Sequence, residues 1–381
     1  MIYLDSAATT LQKPAAVLRA AQYAMSHMAS PGRGGHRPAM QAADTAFACR
    51  QAAAELFHVG EPERVVLTFN ATHGLNLAIK SVVKPGDTVL ISGYEHNAVL
   101  RPLACMEGVQ LKIAASPLFE PEAMYRRFEE LLTPEVTAVV CNHVSNVFGY
   151  LLPAERIAAL CKARAVPFIL DASQSAGCVP LSMEELGAAF IAMPGHKGLY
   201  GPQGTGLLLC GDVLPVPLLE GGTGSLSALR TMPEFLPDRV EAGTPNIPGV
   251  AGLLAGIRFV RQEGERAVLN HERILAAQAA DGLERIDRVR VFAADDMARQ
   301  TGVLSFQIGA MDCETVGEAL GEMGIAVRAG LHCAALAHES AGTLNEGTVR
   351  ASFSAFNTPR EVERFLCAVR QIAGGTNRRR D

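Results

Sequence analysis

No stretch of this 381-residue chain approaches the ~20 consecutive apolar residues that span a bilayer. The opening MIYLDSAATT lacks a basic segment followed by an apolar run, so no secretory leader is expected. No CxxC pair occurs among nine scattered cysteines. That argues against a zinc ribbon or a disulfide scaffold and fits a reducing cytoplasm. No long basic stripe interrupts a formal net charge of −5, which leaves a nucleic-acid partner without support. No internal repeat of fixed period is visible. The glycine-rich stretches GPQGTG and GGTGS lack both the Walker lysine and Rossmann spacing, so as nucleotide motifs they carry little.

What is present describes a packed globule. Hydrophobic residues make up 49% and charged residues 19%, and the length suits two domains better than one. The end of the chain, 374–381, reads as a frayed, solvated tail. Apolar strand-like runs at 64–69, 87–91, 136–141, 166–170, 188–192 and 206–210 alternate with helical patterns such as 75–83 and 154–165. Such alternation implies an α/β architecture with a mostly parallel sheet and helices on both faces, its ligands gathered at the carboxyl ends of the strands. After Pro248 the pattern changes. Helices at 250–263 and 265–283, strands at 289–292 and 302–308, a helix at 313–323, strands at 325–328 and 347–353 and a last helix at 359–373 read as a smaller α+β domain.

Four segments carry chemistry. In MPGHKGLYGPQGTG, Lys197 follows an apolar strand inside a glycine-rich loop, beside His196. A loop lysine is ordinarily a solvated charge. At a strand's carboxyl end, however, its amine can form a Schiff base with an aldehyde cofactor. In FILDASQSAG, Asp171 ends a strongly apolar strand. It reads either as a helix N-cap or as the carboxylate that keeps a pyridinium nitrogen protonated. In TFNATHGLN a strand gives way to a helix near Ala71 and Thr72, whose free N–H groups suit a phosphate; simple capping by Asn70 or Thr72 is the alternative. In VRAGLHCAAL, Cys333 sits in a small-residue loop beside His332, with Arg328 upstream. A nearby cation favours the reactive thiolate. Arg350, in a strand pattern, offers a planar fork for a substrate carboxylate or an ordinary surface ion pair. His332, Cys333 and His338 fall short of a full metal-ligand set, so no metal is expected.

With these segments in the order LDSAATT, NATHGLN, EHN, HVSNVFG, LDASQSAG, GHKGLYGP, AGTPN, RAGLHCA and GTVRASF, the chain resembles the cysteine desulfurases and selenocysteine lyases of the class V aminotransferase family, fold type I. The form of RAGLHCA is similar to the group II branch. The resemblance implies a large domain at 15–255 with a mostly parallel seven-stranded sheet. It also implies a smaller α+β domain made of 1–14 and 256–381, within a unit covering 2–373. It implies pyridoxal 5′-phosphate as cofactor, L-cysteine or selenocysteine as substrate, a homodimer, and a sulfur-acceptor protein as partner. By the same resemblance Lys197 is the Schiff-base lysine, Asp171 pairs with the pyridine nitrogen, Gln174 meets the ring hydroxyl and His96 stacks on the ring. Ala71, Thr72 and His196 match phosphate-binding positions. Asn146 and Arg350 match residues that hold the substrate, and Cys333 matches the persulfide-forming cysteine. Thr244 matches a residue that reaches the phosphate of the other subunit, with Gly222 and Thr223 in the same contact. Two positions depart from the family pattern: Pro194 stands where serine is common, and Leu331 where a second histidine is frequent. Transaminases, epimerases and a sulfur carrier without catalysis remain as rival readings, since fold alone does not set function.

Overall fold

The computed structural model describes residues 1–32 and 34–375; most of the segment read as a solvated tail, 376–381, lies outside the described residues. In chain order the strands are β1 (Ile2–Tyr3), β2 (Val65–Thr68), β3 (Thr88–Ser92), β4 (Gln110–Ala114), β5 (Val136–Asn142), β6 (Phe168–Asp171), β7 (Phe190–Pro194), β8 (Gly206–Cys210), β9 (Val289–Phe292), β10 (Val303–Ile308), β11 (Ile325–Ala326), β12 (Arg328–Gly330) and β13 (Thr348–Ser352). Strands β2 to β8 form a seven-stranded sheet in the order β2-β8-β7-β6-β5-β3-β4. In it β8 runs antiparallel to both neighbours, and the other six strands are parallel.

Successive residues of a strand face opposite sides of a sheet. Val139, Cys141, Leu170 and Ile191 pack on one side, under helices Arg37–Phe57, Ala154–Ala163 and Ile247–Glu263. Val140, Ile169, Phe190 and Leu208 pack on the other, under helices Ala71–Val82 and Asn97–Ala104. Cover on both sides makes both residue sets apolar, and this is why the central strands read as unbroken apolar runs. β4 was not among those runs. It is an edge strand in which only Ala114 is fully buried, and its Lys112 turns outward to Glu135 at 2.6 Å.

A second core joins Ile2 and Leu4 to helices Glu265–Glu284, Cys313–Glu322 and Pro359–Gly375 and to an antiparallel sheet of order β12-β13-β10-β9. The run at 325–328, read as one strand, is two: β11 pairs with β1 in parallel, and β12 pairs with β13 antiparallel. The helix expected from residue 250 begins at Ile247. Asn246 caps it by accepting from the Gly249 N–H at 3.0 Å, and Pro248 falls in the first turn, where its missing N–H costs nothing.

Helix Glu265–Glu284 also buries a carboxyl. Glu272 is 9% exposed and lies against Gly302. Burial raises it from 4.5 to about 8. Between those values the folded chain holds a proton that the unfolded chain has lost, so stability declines as pH rises, by up to about 1.4 kcal/mol per pH unit. Glu272→Gln removes that slope. The difference in melting temperature, variant minus wild type, is expected to grow steadily from pH 5 to pH 8; a flat difference would contradict the assignment.

Candidate active site

The parallel strands end at a common rim, and β2, β3, β5, β6 and β7 each place a group at or beyond their carboxyl ends. After β2, Asn70 caps helix Ala71–Val82 by accepting from the His73 N–H at 2.9 Å. Capping therefore falls to Asn70, and the N–H groups of Ala71 and Thr72 have no partner within the helix. After β3, His96 caps helix Asn97–Ala104, its Nδ1 accepting from the Ala98 N–H at 3.0 Å. Nδ1 is thus an acceptor, and the proton of the neutral ring sits on Nε2. Burial lowers the pKa of His96, with Lys197 and Arg101 acting in the same direction against Asp171.

Asp171 is the last residue of β6 and is buried. Its Oδ1 accepts from the Ser173 N–H at 2.9 Å and from the Ser173 hydroxyl. Lys197 follows β7. The loop that carries it lies flat against the segment that carries Asp171: a Cβ at Gly198 would collide with the Ala176 carbonyl, and Gly177 has φ +88°. Glycine here brings backbone against backbone. Removal from water pulls the Lys197 ammonium down to about 8, with Arg350 and Arg328 adding to the effect and Asp171 opposing it. The His196 carbonyl behind it is held by the Thr10 N–H at 3.1 Å and the Lys13 ammonium at 3.1 Å. Burial, with Lys197 and Lys13 nearby, pushes the His196 ring down to about 4, so the ring is neutral at pH 7.

The second core supplies the other wall. Arg350, on β13, is 2% exposed. Its Nη1 donates to the Asn146 carbonyl at 2.7 Å and its Nη2 to Asp5 Oδ1 at 2.9 Å. Asn146 in turn donates from Nδ2 to the His332 carbonyl at 2.8 Å. The loop that carries the thiol is strained. His332 and Cys333 have φ of +50° and +56°, left-handed values that cost non-glycine residues on the order of 1–3 kcal/mol each. The Asn146 bond, the Asn97 N–H donating to the Cys333 carbonyl at 2.8 Å, and the His332 Nε2 contact with the Thr348 carbonyl at 3.1 Å hold that backbone in place. Cys333 itself is exposed. His332 is buried beneath it, and desolvation lowers its pKa well below the ordinary histidine value. His332 is therefore neutral at pH 7 and is not the cation beside the thiol; the basic side chains that line the cavity with Cys333 are Arg328, Arg350 and Lys197.

Ala71, Thr72, His96, Asn146, Asp171, Gln174, His196, Lys197, Cys333 and Arg350 line one cavity of about 230 Å³. Gly222, Thr223 and Thr244 are not in it; they line a separate cleft of about 790 Å³. Pro194 lines the inner cavity and supplies no hydroxyl there, whereas Leu331 is 40% exposed. Gln174 already donates from Nε2 to the Ala7 carbonyl at 2.9 Å. Asp5 was not singled out from the sequence; its partner lies 345 residues away, and no local pattern marks such a pair.

The cavity residues fit a pyridoxal phosphate. His196 Nδ1, Asn146 Oδ1 and Arg350 Nε are buried without a hydrogen-bond partner among the described residues, and orphaned polar groups at one site call for a ligand. A helix N-terminus for a phosphate, a carboxylate for a ring nitrogen and an amine for an aldehyde, all lining one cavity, supply the matching chemistry. The chain belongs to the aminotransferase class-V family, whose model matches residues 2–365. Relatives named as cysteine desulfurases or probable cysteine desulfurases match nearly its whole length. It is 34% identical to a probable cysteine desulfurase of Mycobacterium leprae over 99% of this chain, and it spans 63% of that protein's length. It is 31% identical to a probable cysteine desulfurase of Pyrococcus abyssi, covering 98% of this chain and 94% of that one. Among solved structures, the apo cysteine desulfurase of Thermococcus onnurineus superposes with a TM-score of 0.88 at 30% identity, covering 98% of this chain and 95% of that one.

Proposed function

We propose that this chain is a pyridoxal-phosphate-dependent cysteine desulfurase, which converts L-cysteine to L-alanine and keeps the sulfur on Cys333 as a persulfide. The observation that carries the reading is a single cavity lined by Lys197, Asp171, His96, Arg350 and Cys333 together. The N–H groups of Ala71 and Thr72, with His196, would hold the phosphate; Asp171 would face the ring nitrogen, His96 the ring and Gln174 its hydroxyl. Bound there, the cofactor supplies an aldehyde that condenses with amines and a ring that accepts the electron pair of a broken Cα–H bond. Lys197, its ammonium brought down to about 8, takes the proton from the substrate Cα. Arg350 and Asn146 orient the substrate through its carboxylate and amine. The Cys333 thiolate attacks the substrate Sγ; the Cβ–S bond breaks with its electron pair left on Cβ, and a proton delivered to Cβ and a proton returned to Cα complete alanine.

Asp5 acts through Arg350 as a positioning residue. Asp5→Asn is expected to raise KM for cysteine about 10-fold with a smaller change in kcat, because the guanidinium loses the partner that aims its fork. A loss in kcat at unchanged KM would contradict this role.

Three further readings accompany this one. A homodimer is supported by Thr244, Gly222 and Thr223, which line a cleft apart from this cavity and would serve a second copy. A cytoplasmic location is supported by nine cysteines that are all free thiols; no helix among the described residues is long and apolar enough to cross a membrane. The domain division at 15–255, with 1–14 joined to 256–381, is supported by the separate core that gathers Ile2 and Leu4 with the last helices. The function itself is tested by adding cysteine to the purified, cofactor-loaded protein and measuring alanine. Alanine formed catalytically is the expected result. A colourless protein that takes up no cofactor, or a coloured one that makes no alanine, would sink the proposal.

A further inference from the structure

Outside Cys333 a groove of about 490 Å³ runs between helices Ala71–Val82 and Asn97–Ala104. One wall is Thr72, Asn76 and Lys80; the other is Asn97, Arg101 and Cys105. Residues four apart share one face of a helix, so each wall is a polar stripe about 12 Å long by helix rise. The Asn97 N–H bond to the Cys333 carbonyl, at 2.8 Å, fixes the thiol loop at one end. The groove and the inner cavity share Cys333, Thr72, His96 and Ala98, so Cys333 stands between a place where sulfur is loaded and a place open to solvent. Among the described residues, no carboxylate lines the groove. Lys80 and Arg101 pair with no carboxylate among the described residues. On a chain of net charge −5 this is a local positive focus, which concentrates anions. The volume suits a small molecule, for which pockets run from about 300 to 1,000 Å³.

We infer that this groove admits a small thiol bearing carboxylates, which Lys80 and Arg101 hold while it removes the sulfur from Cys333; the inference rests on the desulfurase reading above. The acceptor thiolate attacks the outer sulfur of the persulfide. A new S–S bond forms as the bond to Cys333 Sγ breaks, and the electron pair of that bond leaves on Cys333 as thiolate. The persulfide proton travels with the transferred sulfur, and no oxidant is consumed.

The test uses the cofactor-loaded protein and its Lys80→Glu, Arg101→Glu double variant, both changes being at exposed positions. The first readout is the rate at which Cys333 reacts with the dianionic disulfide 5,5′-dithiobis(2-nitrobenzoate) relative to neutral 4,4′-dithiodipyridine, with the modified cysteine located by peptide mass. The anionic-to-neutral ratio is expected to fall about 10-fold in the variant at low salt. A change of less than about twofold overturns the inference. The second readout is unloading of the persulfide: KM for glutathione is expected to rise about 10-fold, while 2-mercaptoethanol is unaffected. Equal effects on the two thiols, or none, overturn it, and would leave a docked protein as the acceptor. The disulfide reaction needs no desulfuration, so the two readings fail separately. A ratio that falls on a protein that makes no persulfide supports the anion-thiol groove and contradicts the desulfurase.

Discussion

Lys197→Ala is expected to fold, to carry no cofactor on residue 197, and to turn over cysteine at least about 1,000-fold more slowly than the wild type. An ordinary lysine is almost wholly protonated at neutral pH and is a poor nucleophile and base. The Lys197 ammonium, lowered to about 8 by removal from water and by Arg350 and Arg328, leaves roughly one amine in ten neutral at pH 7. That fraction is what condensation with an aldehyde and removal of a Cα proton both require. The check is borohydride reduction followed by peptide mapping, which should place a pyridoxyl mass on residue 197 of the wild type and none in the variant. The fold should survive, since the loop is held by the Thr10 and Lys13 bonds to the His196 carbonyl and by close packing at Gly198. Unchanged visible absorbance and turnover in the variant would end the assignment.

Cys333→Ala is expected to keep the cofactor and to bind cysteine, yet to release sulfur at least about 100-fold more slowly. Two features set this thiol apart from the other cysteines. It lies on a strained turn in which His332 and Cys333 are both left-handed, and it lines both the inner cavity and the outer groove. Cys141 and Cys178, by contrast, are fully enclosed, and burial drives their pKa far upward, so they stay protonated. Cys367 is exposed on the last helix, outside the cavity and the groove. Cys367→Ser should retain wild-type turnover. Full activity in the Cys333 variant would show that the sulfur goes elsewhere.

The parts of this account legible in the sequence share a physical cause. Strands covered on both faces must be apolar throughout, so β5, β6 and β7 stand out, and the polar residues that break the pattern at or past their ends, Asn146, Asp171 and Lys197, line the site. β4 did not stand out because an edge strand buries one end only. The split between β11 and β12 was hidden because both pieces lie in one extended run and the change of partner happens at Val327. Asp5 was missed because its ion pair with Arg350 joins the two ends of the chain. The neutrality of His332 was likewise invisible: the letters put a histidine beside a cysteine, whereas the fold buries the ring and leaves the thiol at the surface. Gly222, Thr223 and Thr244 came from motif order, and the single chain puts them in a different cleft from the other site residues.

The most direct measurement of the central claim is a single turnover. Cofactor-loaded protein is given one equivalent of cysteine with no thiol acceptor, alanine is counted, and the added sulfur is located by peptide mass. One alanine per chain with one extra sulfur on the peptide containing Cys333 is the result that a shared cavity for Lys197 and Cys333 predicts. Alanine formed with Cys333 unmodified, or sulfur found on another cysteine, would contradict it.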